Sequence, residues 1–293
     1  MGTRRSQLAL AQAREVASLL EAAGARCELV PMVTTGDTSA DASASNAGVK
    51  GLFVQEIVRA LQQGEIDLAV HSAKDLPSED PEGVVVAAVP ERASPYDVLV
   101  TKHGQLRRKR DLVGTSSLRR RGQFVRARPN LQVVEIRGNV DTRMRRLDEE
   151  EVDGLLLAEA GLERLGIRPA HVERLEEDEM VPAPGQGALA VQTRAEGDTR
   201  QVVEGVDDDA SHAAFDTERR LVSLLGGGCA LPLGAHAQLI GERVHLRGVV
   251  FRADGTNFLE TYVEGPRNAD VAMHAAQDLF DRGAREILAD LQP

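Results

Sequence analysis

The sequence predicts an α/β protein: two blocks of alternating strands and helices, followed by a small α+β unit with a three-stranded antiparallel sheet. Three observations predict it. Short apolar runs alternate with helically spaced apolar residues, once before residue 101 and again between residues 111 and 165. After residue 211 the pattern changes to one long helix and three strand-like runs separated by turn sequences. At 293 residues, two or three domains are expected, and with 3% aromatics and no Trp their cores must rest on Leu, Val, Ile and Ala.

In chain order, Gln7 to Ala23 has apolar residues at helical spacing and ends at Gly24. Cys27 to Val33 reads as a buried strand. Thr35 to Gly48, rich in Ser, Asp, Ala, Asn and Gly, reads as a mobile loop. Leu52 to Leu61 is a helix, Ile66 to His71 a buried strand, and Val84 to Val89 and Asp97 to Val100 further strands. The alternation resumes with Asp111 to Val113 as strand, Ser116 to Arg128 as helix, Leu131 to Ile136 as strand and Val140 to Leu147 as helix. Asp153 to Leu157 and Ala158 to Leu165 follow as strand and helix. Ala188 to Gln192 suits a strand returning to the first block. Ser211 to Leu225 is a helix ending at a triple glycine. Then come strands at Ala235 to Ile240, Arg243 to Phe251 and Asn257 to Val263, and one last helix from Ala269 to Leu291.

Composition narrows the function. No apolar run approaches the roughly 20 residues of a membrane span, and the N-terminal segment lacks the apolar core of a secretory signal. Cys27 and Cys229 show no metal or disulfide spacing, so no metal is expected and a reducing cytoplasm is the expected compartment. Net charge is −11, yet Lys102 to Arg146 carries 14 Lys/Arg against three acids. A local basic field in an acidic protein points to a localised anionic ligand. Nucleic acid is disfavoured because this stretch holds one aromatic, Phe124, and so lacks stacking platforms. Of the 35 basic residues only four are Lys: Lys50, Lys74, Lys102 and Lys109.

Several junctions carry chemistry. His71-Ser72-Ala73-Lys74-Asp75-Leu76-Pro77 follows an apolar strand, placing Asp75 where open α/β sheets bind ligands. A carboxylate there can move a proton or stabilise a developing cation; a solvated Lys–Asp pair is the plainer alternative. Gly114-Thr115-Ser116-Ser117-Leu118-Arg119-Arg120 places hydroxyls and two guanidinium forks at a helix start, an oxyanion site or simply a capped helix with a solvated basic face. Arg137-Gly138-Asn139 through Arg143 repeats that layout, and Thr3-Arg4-Arg5-Ser6 sets a base and a hydroxyl before the first helix. Together these junctions would line one cleft between two α/β units. Gly226-Gly227-Gly228-Cys229 leaves a thiol accessible in a loop, suited to covalent attachment. Pro182-Ala183-Pro184-Gly185-Gln186-Gly187 reads as a rigid crossover, either hinge or linker.

On these motifs the chain resembles the porphobilinogen deaminase family: TRRSQLAL, KGLFVQE, HSAKDLPS, VGTSSLRRR, IRGNVDTR, PAPGQGAL and GGGCALPLG occur in this order from about residue 2 to 290. The resemblance implies two lobes of the type II periplasmic-binding-protein kind around a cleft and a small third domain. The expected division is 1–91 plus 187–208, then 92–186, then 209–293. It further implies a dipyrromethane cofactor bound as a thioether at Cys229. Four porphobilinogen molecules would be added to this primer with loss of ammonia, and linear hydroxymethylbilane released by hydrolysis. Asp75 would be the catalytic carboxylate. Lys74, Ser72, Thr115, Ser117, Arg119, Arg120 and Gly138 would hold the cofactor. Arg4, Ser6, Lys50, Phe53, Ser116, Arg137, Arg143, Arg164 and Gln186 would hold the substrate chain. A monomer is expected, with no nucleic-acid or membrane partner. Two departures from the pattern are Asp141, where Gly is common, and Arg5, where Gln is common. The competing readings are a small-anion-binding protein of the same two-lobed shape, and a nucleic-acid binder using residues 102–146; neither needs Asp75 or a cysteine-bearing third domain.

Overall fold

The computed structural model describes residues 1–33, 49–106, 110–226, 231–252 and 254–289, with backbone alone at 49–53. The first lobe contains β1 (Gly2–Arg4), α1 (Gln7–Ala22), β2 (Val30–Met32), α2 (Val49–Gln62), β3 (Leu68–Ser72), a 3-10 turn (Ala73–Asp75) and β4 (Val84–Ala88). The second holds β5 (Asp97–Thr101), β6 (Leu112–Gly114), α3 (Leu118–Ala127), β7 (Gln132–Val134), α4 (Val140–Asp148), β8 (Gly154–Ala158), α5 (Glu159–Arg164) and β9 (His171–Leu175). The chain then returns through β10 (Leu189–Arg194) and α6 (Asp198–Glu204). A C-terminal unit follows: α7 (Asp209–Leu224), β11 (Leu233–Ile240), β12 (Arg243–Val250), β13 (Leu259–Pro266), α8 (Val271–Asp281) and α9 (Ala284–Ala289).

The two lobe sheets share one plan. Their orders are β2-β1-β3-β10-β4 and β7-β6-β8-β5-β9. In each, a parallel trio is followed by one antiparallel strand: β10 runs against β3 and β4, and β5 against β8 and β9. That antiparallel strand is the one that has just crossed from the other lobe. This is the two-lobed arrangement the resemblance implied. The last sheet, β11-β12-β13, is antiparallel throughout, as expected.

Each lobe sheet is covered on both faces, which explains its continuous apolar strands. In the first lobe α1 buries Ala13, Val16 and Leu20 against Leu68, Val70 and Leu189, while α2 buries Val54, Ile57 and Leu61 near Ala69 and Ala190. The second lobe packs Val98, Val100, Leu155 and Leu157 on one face and Leu99, Phe124, Leu156 and Met180 on the other. In the C-terminal unit α7 and α8 bury Leu221, Ala275 and Leu279 on Ala235, Leu246 and Val250.

Two expectations change, one falls outside the described residues, and two elements are added. The Cys27 to Val33 strand shrinks to β2, which is an exposed edge; Pro31 lies in it, and edge strands tolerate a missing N–H. The Thr35 to Gly48 loop lies outside the described residues. The final helix breaks into α8 and α9 at Gly283, whose φ is +97°. Strand β9 and helix α6 were not anticipated, because β9 is exposed along most of its length and lacks an apolar alternation.

The crossings between lobes are tied to α7. Glu218 is fully buried, and its carboxylate accepts from Arg92 Nη1 at 2.7 Å and Nη2 at 3.2 Å, from Gly185 N at 2.6 Å and from Ala237 N at 2.8 Å. Arg92 Nε also donates to Gln186 O at 2.8 Å. The two crossing segments touch so closely at Gly187 (φ +86°) that a Cβ there would lie 2.4 Å from Ala93 O.

Candidate active site

A cavity of about 510 Å³ lies between the lobes and is walled at one side by the C-terminal unit through Phe215, Arg219, Val222, Leu231 and Leu233. Among the described residues eight cationic side chains line it: Arg4, Lys74, Arg119, Arg120, Arg137, Arg143, Arg164 and Arg219. Two carboxylates, Asp75 and Asp141, line it with them. An excess of that size in a half-enclosed site selects a polyanion.

Local sequence explains each placement. β3 ends at Ser72, and the 3-10 turn Ala73–Asp75 brings Lys74 and Asp75 to the strand's carboxyl end, with Leu76 N bonded to Ala73 O at 3.2 Å. Ser6 caps α1 by accepting from Ala9 N at 3.2 Å, and Ser117 caps α3 by accepting from Arg120 N at 3.3 Å. Thr115 does not line the cavity: it is buried, and its hydroxyl accepts from Ser117 N at 3.1 Å, shaping the turn instead. Gly138 has φ +115°, and its carbonyl accepts from Arg143 Nε at 2.7 Å while Arg143 Nη2 donates to Ser116 Oγ at 3.2 Å. Burial, and then Arg120, lower the Arg143 pKa to about 10, so it remains a cation at neutral pH. Arg137, half-exposed, holds Glu135 at 2.6 Å. Arg164 reaches Glu15 across the cleft. The side chains of Lys50 and Phe53, and Cys229 itself, lie outside the described residues.

Arg119 and Arg120 are not simply open forks. Both are buried, and both grip Asp97: Arg119 Nη1 at 2.7 Å and Nη2 at 3.0 Å, Arg120 Nε at 2.7 Å. Gln186 Nε2 donates to the same carboxylate at 3.1 Å, and its Oε1 accepts from Lys74 Nζ at 3.4 Å and Arg120 Nη2 at 3.4 Å. Burial alone would raise the Asp97 pKa, but the two guanidiniums hold it well below the usual carboxylate range. Asp97, Glu218 and the cavity-lining Gln12, His71 and Arg219 were missed in the sequence. An acid opening the otherwise apolar run Asp97-Val98-Leu99-Val100 was the one available signal. His71 is buried beside the cavity; desolvation lowers its pKa to about 4, against the opposing pull of Asp75.

The porphobilinogen deaminase, dipyrromethane cofactor binding domain model matches residues 1–202, and the porphobilinogen deaminase, C-terminal domain model matches residues 213–281. The chain belongs to the porphobilinogen deaminase family. Porphobilinogen deaminases from Exiguobacterium sp. and Oceanobacillus iheyensis are 40% and 41% identical to it, over 99% and 98% of this chain and 98% and 96% of theirs. That of Roseiflexus sp. is 42% identical over 99% of this chain and 98% of its own length. Among solved structures, an amino acid transporter substrate-binding protein from Streptococcus pneumoniae is 15% identical, with a TM-score of 0.36 over 66% of this chain and 74% of its own. A periplasmic solute binding protein from Desulfovibrio salexigens is 12% identical, with a TM-score of 0.38 over 70% of each chain. The fold reading rests on the sheet orders rather than on these loose likenesses. Porphobilinogen deaminases are transferases of tetrapyrrole biosynthesis, and dipyrromethane is the cofactor named for the matched domain. The donors present fit a group bearing acetates and propionates: guanidinium forks and hydroxyls are what carboxylates take. No helix among the described residues is long and apolar enough to cross a membrane.

Proposed function

We propose that this chain is a hydroxymethylbilane synthase that condenses four porphobilinogen molecules head to tail, and that the cavity is where it does so. The observation that carries the reading is the carboxylate of Asp75, presented at a strand end in a cavity whose described lining holds eight cations and one other acid, Asp141. Each porphobilinogen brings two carboxylates and an aminomethyl group. Arg4, Ser6, Arg137, Arg143, Arg164, Ser116 and Gln186, with Lys50 from α2, hold the carboxylates of the substrate chain, and Phe53 packs against its pyrroles. Lys74, Ser72, Ser117, Arg119, Arg120 and the Gly138 turn hold those of the primer, with Thr115 supporting the turn. The aminomethyl group reacts as its ammonium; as the C–N bond breaks, the bonding pair leaves with neutral ammonia and the remaining pyrrole carries the positive charge. Asp75, partly buried in the half-enclosed cavity, stabilises that charge. It also accepts the proton lost when the new C–C bond restores aromaticity. Cys229 would hold the dipyrromethane, which would supply the nucleophilic pyrrole carbon for chain growth. Leu231, two residues from Cys229, lines the cavity, which supports that attachment point.

The division 1–91 plus 187–208, 92–186 and 209–293 belongs to this reading, as do a monomeric state, a cytoplasmic location and the absence of a nucleic-acid partner. Two measurements test it. Intact-protein mass spectrometry shows an excess matching two linked pyrroles that disappears in Cys229→Ser; an unmodified mass in active protein overturns the attachment. Asp75→Asn loses at least about 100-fold in kcat, as removal of a charge-stabilising group does; near-normal turnover rules out an essential carboxylate.

A further inference from the structure

The lobes face each other along α1 and α5. On α1, Leu8, Gln12 and Glu15 share one face at i, i+4 and i+7, and Leu8 and Gln12 line the cavity. On α5, Gly161 and Arg164 sit three residues apart. A Cβ at Gly161 would lie 3.9 Å from Leu8 Cδ2, so the two helices approach closely there. The contact ends in a bidentate pair: Arg164 Nε lies 2.8 Å from Glu15 Oε2, and Nη2 3.2 Å from Oε1.

The pair is asymmetric. The Arg164 side chain is 8% exposed and borders the cavity, whereas that of Glu15 is 40% exposed on the rim. One guanidinium therefore faces two sources of carboxylate, the rim and the cavity. A fork grips one carboxylate at a time in bidentate fashion. Asp97 cannot be traded in this way, because it is fully buried and water cannot replace the arginines it would lose. Glu15 can be, because solvent receives its freed carboxylate.

We propose that Glu15 is an internal competitor for Arg164: it holds the guanidinium across the cleft in the empty protein and yields it to a carboxylate of the pyrrole chain. This rests on the reading of the cavity as a pyrrole-carboxylate site. Two consequences follow. Glu15 weakens substrate binding at this end of the cavity, and occupancy there removes a bond between the lobes. A chain that gains two carboxylates per addition thereby loosens the cleft that must accommodate it.

The test uses cofactor-loaded enzyme carrying Glu15→Gln, Arg164→Gln or neither. Glu15→Gln lowers KM for porphobilinogen by about two- to fivefold, the range for loss of a partly exposed ion pair. Without substrate, its α1 and α5 amides exchange hydrogen as fast as those of the wild type do with porphobilinogen bound. An unchanged or raised KM, or α1 and α5 exchange no faster than that of the empty wild type, overturns the proposal. Arg164→Gln separates the two layers. If it raises KM while Glu15→Gln does not lower it, Arg164 binds substrate and the competition is refuted. If it leaves KM unaltered, the assignment of Arg164 to the substrate chain fails, and the proposal with it.

Discussion

Replacing Asp97 with Asn probes whether the twin arginines owe their placement to a single acid. The substitution keeps shape and one acceptor oxygen, but removes the charge that Arg119 and Arg120 share through contacts of 2.7–3.0 Å. Burial already pushes the Arg120 guanidinium below its ordinary pKa, with Asp97 opposing that push. Without the carboxylate, two buried cations adjoin with no counter-charge, a loss of about 3–5 kcal/mol. For lobes of this size that lowers the thermal midpoint by on the order of 10 °C. The forks also lose their fixed direction, so the primer's carboxylates are misplaced and kcat falls about tenfold, the cost of one misplaced charge-assisted bond. The sign with pH follows from linkage. The folded pKa of Asp97 is depressed, so its contribution is fully present above the unfolded value of 3.8 and is lost as pH falls through the folded pKa. The gap between wild type and variant is therefore constant from neutral pH to about pH 5 and shrinks below about pH 4. Scanning fluorimetry across pH, with steady-state kinetics, measures both effects. A variant within about 2 °C of wild type with an unchanged kcat refutes the reasoning.

Three more outcomes are expected. His71 has its pKa lowered to about 4, so the unfolded chain takes up a proton first and the native state loses about 3 kcal/mol between pH 6.5 and 4; in urea titrations His71→Gln shows a flatter acid limb, and parallel limbs contradict this. Glu218→Gln leaves Arg92 without its counter-charge, costing about 3–5 kcal/mol, and speeds proteolysis of the segment joining the second lobe to β10; unchanged cleavage counts against a tie between the crossings and α7. Gly187→Ala puts a methyl into Ala93 O and forces Ala into the left-handed region, destabilising by more than about 2 kcal/mol in denaturant melts; a neutral effect argues against this close crossing.

Much of the fold was legible because its strands are apolar and its helices are bounded by readable signals. Ser6 caps where expected, Ser117 caps a helix that begins two residues later than expected, and Gly138 and Gly226 adopt the positive φ that only glycine takes easily. β2 misled because an apolar V-P-M run does not reveal whether its flanks are covered. β9 was invisible because His171-Val172-Glu173-Arg174 carries no alternation, and an edge position requires none. The cationic half of the cavity was readable, since arginines cluster at strand-to-helix junctions. Its acidic counterpart was not. Asp97 lies 22 residues before Arg119, and Glu15 lies 149 before Arg164. The first pairing arises only once the second lobe has folded and the second only once both lobes have met, and no local pattern announces either.

The exchanged strands constrain how the protein is made. β10 sits between β3 and β4, yet it leaves the ribosome more than a hundred residues after them. Until residues 189–194 emerge, the first lobe is two unjoined fragments with open strand edges, even though most of its residues were synthesised first. The second lobe, whose strands run continuously from Asp97 to Leu175, closes before it. The nascent chain thus completes its middle before its beginning, and the cavity forms only when the returning strand zips the N-terminal sheet shut. A stalled chain ending near residue 180 would expose an apolar sheet edge of the kind chaperones bind.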